Sequence, residues 1–333
     1  MDIYHYLIDE ISDPRVSDWP LMSNPFGLIL ISLAYLSFVL YLGPLYMKER
    51  KPYALIKTMM CYNILVATAS AIVFYGILTS GYTTHLSMGC EPFVISDDSM
   101  SLSMARWIWW VLILKITELA DTVIFIFRKK YNQISFLHVY HHTVTIYLAW
   151  ISCKYAPGGM WTFIMMPNCL VHVIMYTYYL CACLGPKMQK IVTPWKKYIT
   201  RLQLVRTFLY QIHTGIWNSA FRVICSYTRT SLWLQRSCNS ITGFSRGIEK
   251  FRKRCLQNHM CSRRISIRFA FERNSEGQGI QFTIMVIHTS QALLPSCEPT
   301  LKPLAYIYMS QVVTMFYMFL DYYRKSYLRK KIE

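Results

Sequence analysis

Residues 138–142 read His138-Val139-Tyr140-His141-His142, three imidazoles within five positions. On a helix the i, i+3, i+4 spacing puts all three on one face. A second stretch repeats the pattern, with Asn168, His172 and Tyr176 or Tyr179 on a single face, and a third carries Lys115, Glu118, Asp121 and Thr122 at i, i+3, i+6 and i+7. Imidazole serves as a base or nucleophile near neutral pH and as a metal ligand. Two chemistries are therefore open: acyl transfer through a buried neutral imidazole, and oxidation at a di-iron centre of the desaturase or hydroxylase kind. A paired iron site draws histidines from several boxes, whereas His5, His85, His213 and His259 lie away from this cluster. The count favours acyl transfer and no metal.

The elements holding these groups are apolar. Of 333 residues, 54% are hydrophobic and 16% charged, with a mean hydropathy of +0.26, whereas soluble domains run near ~25% charged. A water-soluble globular enzyme is thereby disfavoured. The net charge of +18 would suggest nucleic acid in a soluble protein, but cytoplasmic loops of membrane proteins collect Lys and Arg. No nucleic-acid partner is expected. Eleven cysteines are too dilute for a disulfide scaffold, and the acidic opening (Asp2, Asp9, Glu10, Asp13, Asp18) does not resemble a secretory signal.

A span needs about 20 mostly apolar residues. Six such runs occupy 26–47, 53–78, 107–127, 134–152, 160–184 and 304–323, with an interrupted one before the last. The chain is thus predicted to be all-α and polytopic, with seven spans. Basic clusters at 48–51, 128–130, 187–201 and 324–331 follow spans one, three, five and seven, which puts those ends in the cytosol. The tail Lys330-Lys331-Ile332-Glu333 then resembles an endoplasmic-reticulum retrieval signal, with a surface anchor as the alternative. The 79–106 and 295–303 loops face the oxidising lumen. Cys90 and Cys297 there pair as a disulfide or stay as two thiols. An ionisable group at bilayer depth costs on the order of 2.5–3.5 kcal/mol on insertion scales and is usually turned to an interior cavity. Three polar stripes on three apolar helices imply one buried chamber, although any single stripe could be interhelical hydrogen bonding. A seven-span receptor or transporter would explain the topology but not the histidine box.

Four stretches carry a resemblance: Lys-Ile-Thr-Glu-Leu-Ala-Asp-Thr (115–122), the histidine box (138–142), Asn-Cys-Leu-Val-His-Val-Ile-Met-Tyr-Thr-Tyr-Tyr (168–179) and Thr-Arg-Leu-Gln (200–203). In order and separation they resemble the very-long-chain fatty acid elongases, over roughly 25–205 and 281–333. The resemblance implies a metal-independent 3-ketoacyl-CoA synthase of seven helices, six forming a barrel around an acyl tunnel open to the cytosol. Acyl-CoA and malonyl-CoA would be its substrates, with no cofactor. His141 takes the nucleophile's place and His172 lines the same chamber. His138, His142, Asp121 and Asn168 orient imidazoles or stabilise developing charge. Lys115, Lys196, Lys197 and Arg201 are candidates for CoA phosphates, and Glu118, Tyr176, Tyr179, Thr200, Gln203 and Gln281 for other substrate contacts. A ketoacyl-CoA reductase, a dehydratase and an enoyl reductase would complete the cycle, since no Gly-rich dinucleotide fingerprint occurs here.

The resemblance fails at Arg206, where the pattern expects Gln. Residues 206–280 hold 11 Arg and 2 Lys, against 7 Arg and 15 Lys elsewhere, and carry only three acidic residues. Removing them joins Val205 to Gln281, restores the Gln, and completes a sixth span from 198–205 and 281–294. The expectation is an elongase domain over 1–205 and 281–333 with a basic insertion at 206–280, disordered or an unspliced intron, that weakens or abolishes activity. Its rival is a basic domain for RNA or anionic lipid.

Overall fold

The computed structural model describes residues 3–87, 89–195, 285, 288–292, 297 and 302–323. Lys196, Lys197, Thr200, Arg201, Gln203, Gln281, the 206–280 block, the tail at 330–333 and most of the sixth predicted span lie outside the described residues. Within them every regular element is helical, in agreement with an all-α chain.

Helix α1 runs Phe26–Met47, with a π-helical turn at Phe38–Leu42. Pro44 explains that turn. Its ring would collide with the carbonyl four residues earlier, and a widened turn relieves the clash. Helix α2, Ile56–Ile77, continues into a π-helical turn at Leu78–Tyr82, where Ser80 and Gly81 leave helical geometry. Helix α3, Ser99–Thr117, begins at Asp98, whose Oδ1 accepts from the backbone N–H groups of Met100 (2.9 Å) and Ser101 (3.0 Å). This cap starts the helix earlier than the predicted 107 and shortens the predicted 79–106 loop. A turn at Glu118-Leu119 then separates α3 from α4, Ala120–Phe127, so the predicted third span is two helices. Ser135 caps α5, Phe136–Tyr155, by accepting from the His138 N–H at 3.2 Å. Helices α6, Met165–Cys183, α7, Pro186–Val192, and α8, Lys302–Tyr323, complete the order.

Among the described residues, which leave out most of the sixth of the seven expected spans, three segments, Phe26–Met47, Ile56–Tyr82 and Gly159–Cys183, are long and apolar enough to cross a bilayer. Helices α3, α5 and α8 have the length, at 19, 20 and 22 residues, but carry the polar side chains that build the interior. Leu30, Leu33, Leu40, Ile64, Leu65 and Ile72 are exposed on α1 and α2, as a lipid-facing surface requires.

Helix α2 packs along α6 and against α3, α3 along α5, α5 against α8, and α4 against α1. Two glycines permit close approach. A Cβ on Gly76 would fall 2.1 Å from the Trp107 ring, and one on Gly43 would lie 3.0 Å from Ile126 Cγ2.

At the end of the bundle where α3 begins and α5 ends, the segment preceding α1 folds over the helices. Asp13 N–H donates to the Lys154 carbonyl (2.8 Å), and the Trp109 and Trp150 indoles donate to the carbonyls of Pro20 (3.0 Å) and Leu21 (2.8 Å). Arg15 pairs with Asp13 and donates to Ser101 Oγ (2.7 Å) and the Ser96 carbonyl. Cys90 and Cys297 are joined by a disulfide at this same end.

Candidate active site

The buried polar side chains gather toward the opposite end, where α3 gives way to α4 beside α5 and α6. Lys115 lies on the last turn of α3 and Glu118 at its C-cap, so the two meet one turn apart. Lys115 Nζ donates to both Glu118 oxygens, at 2.9 and 3.1 Å. Both are buried, 5% and 1% exposed. From α6, His172 Nε2 lies 3.5 Å from Lys115 Nζ, while its Nδ1 lies 3.0 Å from Glu118 Oε1. The second contact is a close polar approach outside hydrogen-bonding geometry, since Nδ1 has no hydrogen-bond partner among the described residues. One turn further along α6, the Tyr176 hydroxyl donates to Asp121 Oδ2 at 2.6 Å, and the Tyr62 ring meets Tyr176 edge-on at 5.9 Å.

Helix α5 supplies the other three imidazoles. His138 and His142, one turn apart, have ring centroids 4.4 Å apart, and His141 and His142 are 5.5 Å apart. His141 also meets Phe319 of α8 at 6.1 Å. Helix α5 packs along α3, so the histidine box lies on the helix beside the one that carries Lys115. His142 and His172 are buried, while His138 and His141 are half-buried. Burying two imidazoles beside an ammonium group would be costly without a neighbouring carboxylate, and Glu118 supplies it. His142 Nδ1 and Asn168 Oδ1 are buried with no hydrogen-bond partner among the described residues. Unused polar valences of this kind suit a chamber that receives a polar group. Among the described residues no three His, Cys, Asp or Glu side chains converge to hold a metal ion.

The polar stripe on α3 and α4 divides. Lys115, Glu118 and Asp121 face α6, whereas Thr122 turns toward α5 and α1, 2.9 Å from His138 Nε2 and 2.8 Å from the Tyr35 hydroxyl. Of the two α6 tyrosines, Tyr176 reaches the interior; Tyr179 packs edge-on against it and is 37% exposed. Asn168 lies one turn before His172 on the same face. Tyr35, Tyr62, Phe319 and Gln311, whose Oε1 accepts from the Tyr140 hydroxyl at 2.9 Å, were not evident as site residues from sequence. Gln311 carried a signal, being polar within an apolar run. Tyrosines are common in such runs, so Tyr35 and Tyr62 carried none.

Residues 20–244 match the ELO family, described as GNS1/SUR4; the match runs beyond Val205 into the basic block. A very long chain fatty acid elongase of Aedes aegypti is 40% identical over 237 residues, 70% of this chain and 64% of that protein. Very long chain fatty acid elongase 7 of Drosophila melanogaster is 40% identical over 226 residues, 68% of each chain. Very long chain fatty acid elongase 1 of Homo sapiens is 42% identical over 216 residues, 65% of this chain and 76% of that protein. The aligned part thus spans just under two thirds of the mosquito protein's length and somewhat more of the other two. With its matched segment containing α1, α2 and every side chain of the Lys115–Glu118–His172 cluster, the chain belongs to the ELO (GNS1/SUR4) family.

Proposed function

We propose that the protein is the condensing enzyme of fatty acid elongation, joining a long-chain acyl-CoA to malonyl-CoA to give 3-oxoacyl-CoA, carbon dioxide and CoA. The observation that carries this reading is the buried Lys115–Glu118 pair with His172 against it, beside the His138–His141–His142 cluster on the helix α5 that packs along α3. An unprotonated His141 nitrogen attacks the thioester carbonyl, the C–S bond breaks, and CoA leaves as thiol with the proton released from the other nitrogen of the His141 ring. The resulting acyl-imidazole is enclosed away from water. Malonyl-CoA then loses carbon dioxide, its electron pair passing into an enolate, and the enolate carbon attacks the acyl carbonyl. The C–N bond breaks, the departing imidazole nitrogen takes up one proton from water to regenerate neutral His141, and no oxidant or reductant is consumed. Lys115 supplies fixed positive charge where the thioester oxygen becomes negative, and Asp121, accepting from the Tyr176 hydroxyl, holds that ring in place. The unused His142 Nδ1 can donate to the same thioester oxygen when it carries the ring proton, and the unused Asn168 Oδ1, an acceptor, can orient a neighbouring donor.

In this reading seven helices cross the endoplasmic-reticulum membrane, six enclosing the acyl tunnel, with the C-terminus in the cytosol. The chamber lies toward the end carrying Lys48, Arg50, Lys51, Arg128, Lys129 and Lys130, where the phosphates of a CoA would find positive charge. Reductase, dehydratase and enoyl-reductase partners act on the product. The 206–280 block is an in-frame insertion that lowers activity, with Gln281 restored beside Gln203 when it is absent.

The test is incorporation of labelled malonyl-CoA into 3-keto products, without nicotinamide reductant, in membranes expressing this chain, the chain lacking 206–280, and His141→Ala forms of both. Product that depends on His141 supports the reading. Product only from the shortened chain supports the insertion as well, and equal product from both removes the insertion's effect. Silence from both with long-chain acyl-CoAs overturns the assignment.

A further inference from the structure

We propose that Tyr35 is a positioning residue for the histidine box, acting through Thr122 to fix the tautomer of His138. Three helices contribute. The Tyr35 hydroxyl on α1 lies 2.8 Å from Thr122 Oγ1 on α4, and Thr122 Oγ1 lies 2.9 Å from His138 Nε2 on α5. Tyr35 is 6% exposed and Thr122 fully buried.

Proton counting gives this chain a direction. If Tyr35 donates to Thr122 and Thr122 donates to His138 Nε2, both hydroxyl protons are used and the ring proton resides on Nδ1 of the half-buried His138, an atom that is not among the buried ones left without a partner. In the reverse direction, His138 Nε2–H donates to Thr122 and Thr122 to Tyr35, and the phenolic proton has no acceptor among the described residues. If both neighbours donate to Thr122, its own proton is left over. A buried donor without an acceptor costs about 1–3 kcal/mol, so the first direction prevails.

His138 is therefore held as an acceptor at Nε2. Its ring is the one His142 packs against at 4.4 Å, and His142 in turn meets His141 at 5.5 Å. Fixing the first imidazole thereby limits the attitude of the two that follow. Helix α1 carries one other buried polar side chain, Ser32, whose hydroxyl has no hydrogen-bond partner among the described residues; Tyr35 is the hydroxyl it contributes to this chain from the far side of α4.

The effect on rate rests on the condensing reading above; the tautomer does not, and the experiment separates them. The full chain, labelled with 15N-histidine and held in lipid, is examined by solid-state NMR, with His138 assigned by signal loss in His138→Gln. The expected spectrum has a protonated Nδ1 and an unprotonated Nε2. Tyr35→Phe should split His138 between two tautomers and lower kcat roughly tenfold, about 1.4 kcal/mol, with KM for acyl-CoA unchanged. Thr122→Val should do the same, Thr122→Ser should restore both readouts, and Tyr41→Phe, 67% exposed on the same helix, should change neither. A wild-type His138 protonated at Nε2, or a Tyr35→Phe spectrum identical to wild type, overturns the proposal. A tautomer change in a protein that makes no 3-keto product either with or without residues 206–280 upholds the hydrogen-bond chain and removes the condensing reading.

Discussion

Replacing Glu118 by Gln keeps its shape and one acceptor oxygen while deleting the charge that faces Lys115 Nζ at 2.9 and 3.1 Å. The Lys115 ammonium, 5% exposed, would then remain buried among imidazoles. Breaking a buried pair by removing one partner costs about 3–5 kcal/mol, whereas replacing both partners by apolar groups of similar volume is often close to neutral. The single variant Glu118→Gln should therefore lose about 3–5 kcal/mol, and the double variant Lys115→Met/Glu118→Gln should be more stable than that single. The coupling is on the order of 2 kcal/mol, within the range for residues in direct contact. Equilibrium unfolding in mixed micelles of rising denaturing-detergent fraction, followed by tryptophan fluorescence, measures all four corners of the cycle. A single variant within about 1 kcal/mol of wild type, or a double variant whose loss equals the sum of the two singles, would refute the assignment of Glu118 as the counter-charge.

Gly76→Ala should destabilise by about 1–3 kcal/mol, because its new methyl would fall 2.1 Å from the Trp107 ring; pairing it with Trp107→Leu should recover part of the loss in the same unfolding assay. Cys297→Ser should leave Cys90 reactive to a maleimide without prior reduction and lower stability by about 2–4 kcal/mol. Asp98→Asn should flatten the acid limb of a thermal-midpoint profile. The Ser101 N–H, then the Ser96 hydroxyl, hold the Asp98 carboxyl below the ordinary aspartate range. Its contribution is complete above that range and disappears as pH falls through it to the depressed value. Asn caps the helix nearly as well but has no such proton to bind.

The sequence carried most of the site's composition and little of its wiring. Lys115, Glu118, His138, His141, His142 and His172 announce themselves as polar groups within apolar runs, because burying them without partners is expensive. Helical spacing then places them on shared faces, which the structure brings together around one chamber. Spacing alone did not reveal that Glu118 sits at a turn between two helices. A stripe at i, i+3, i+6 and i+7 reads as continuous, whereas Asp98 shifts the start of α3 to Ser99 and Thr122 leaves the stripe for Tyr35 and His138. Tyr35 was silent because a tyrosine serves equally well as an apolar ring or as a hydroxyl, and only its neighbour decides which. The three apolar helices were legible almost to their ends. The polar ones were recognised by length and basic flanks, since their inward groups dilute the hydrophobic signal.

The bond between Cys90 and Cys297 also constrains how the chain can be threaded. Two cysteines can join only if they emerge on the same side, so the chain between them must traverse the bilayer an even number of times. Any biosynthetic error that adds or omits one traverse in that interval sends Cys297 to the opposite face and leaves both sulfurs reduced. The oxidised bond, closing across a sequence separation of 207 residues, is thus a parity check on membrane insertion, written covalently and readable by mobility on a non-reducing gel.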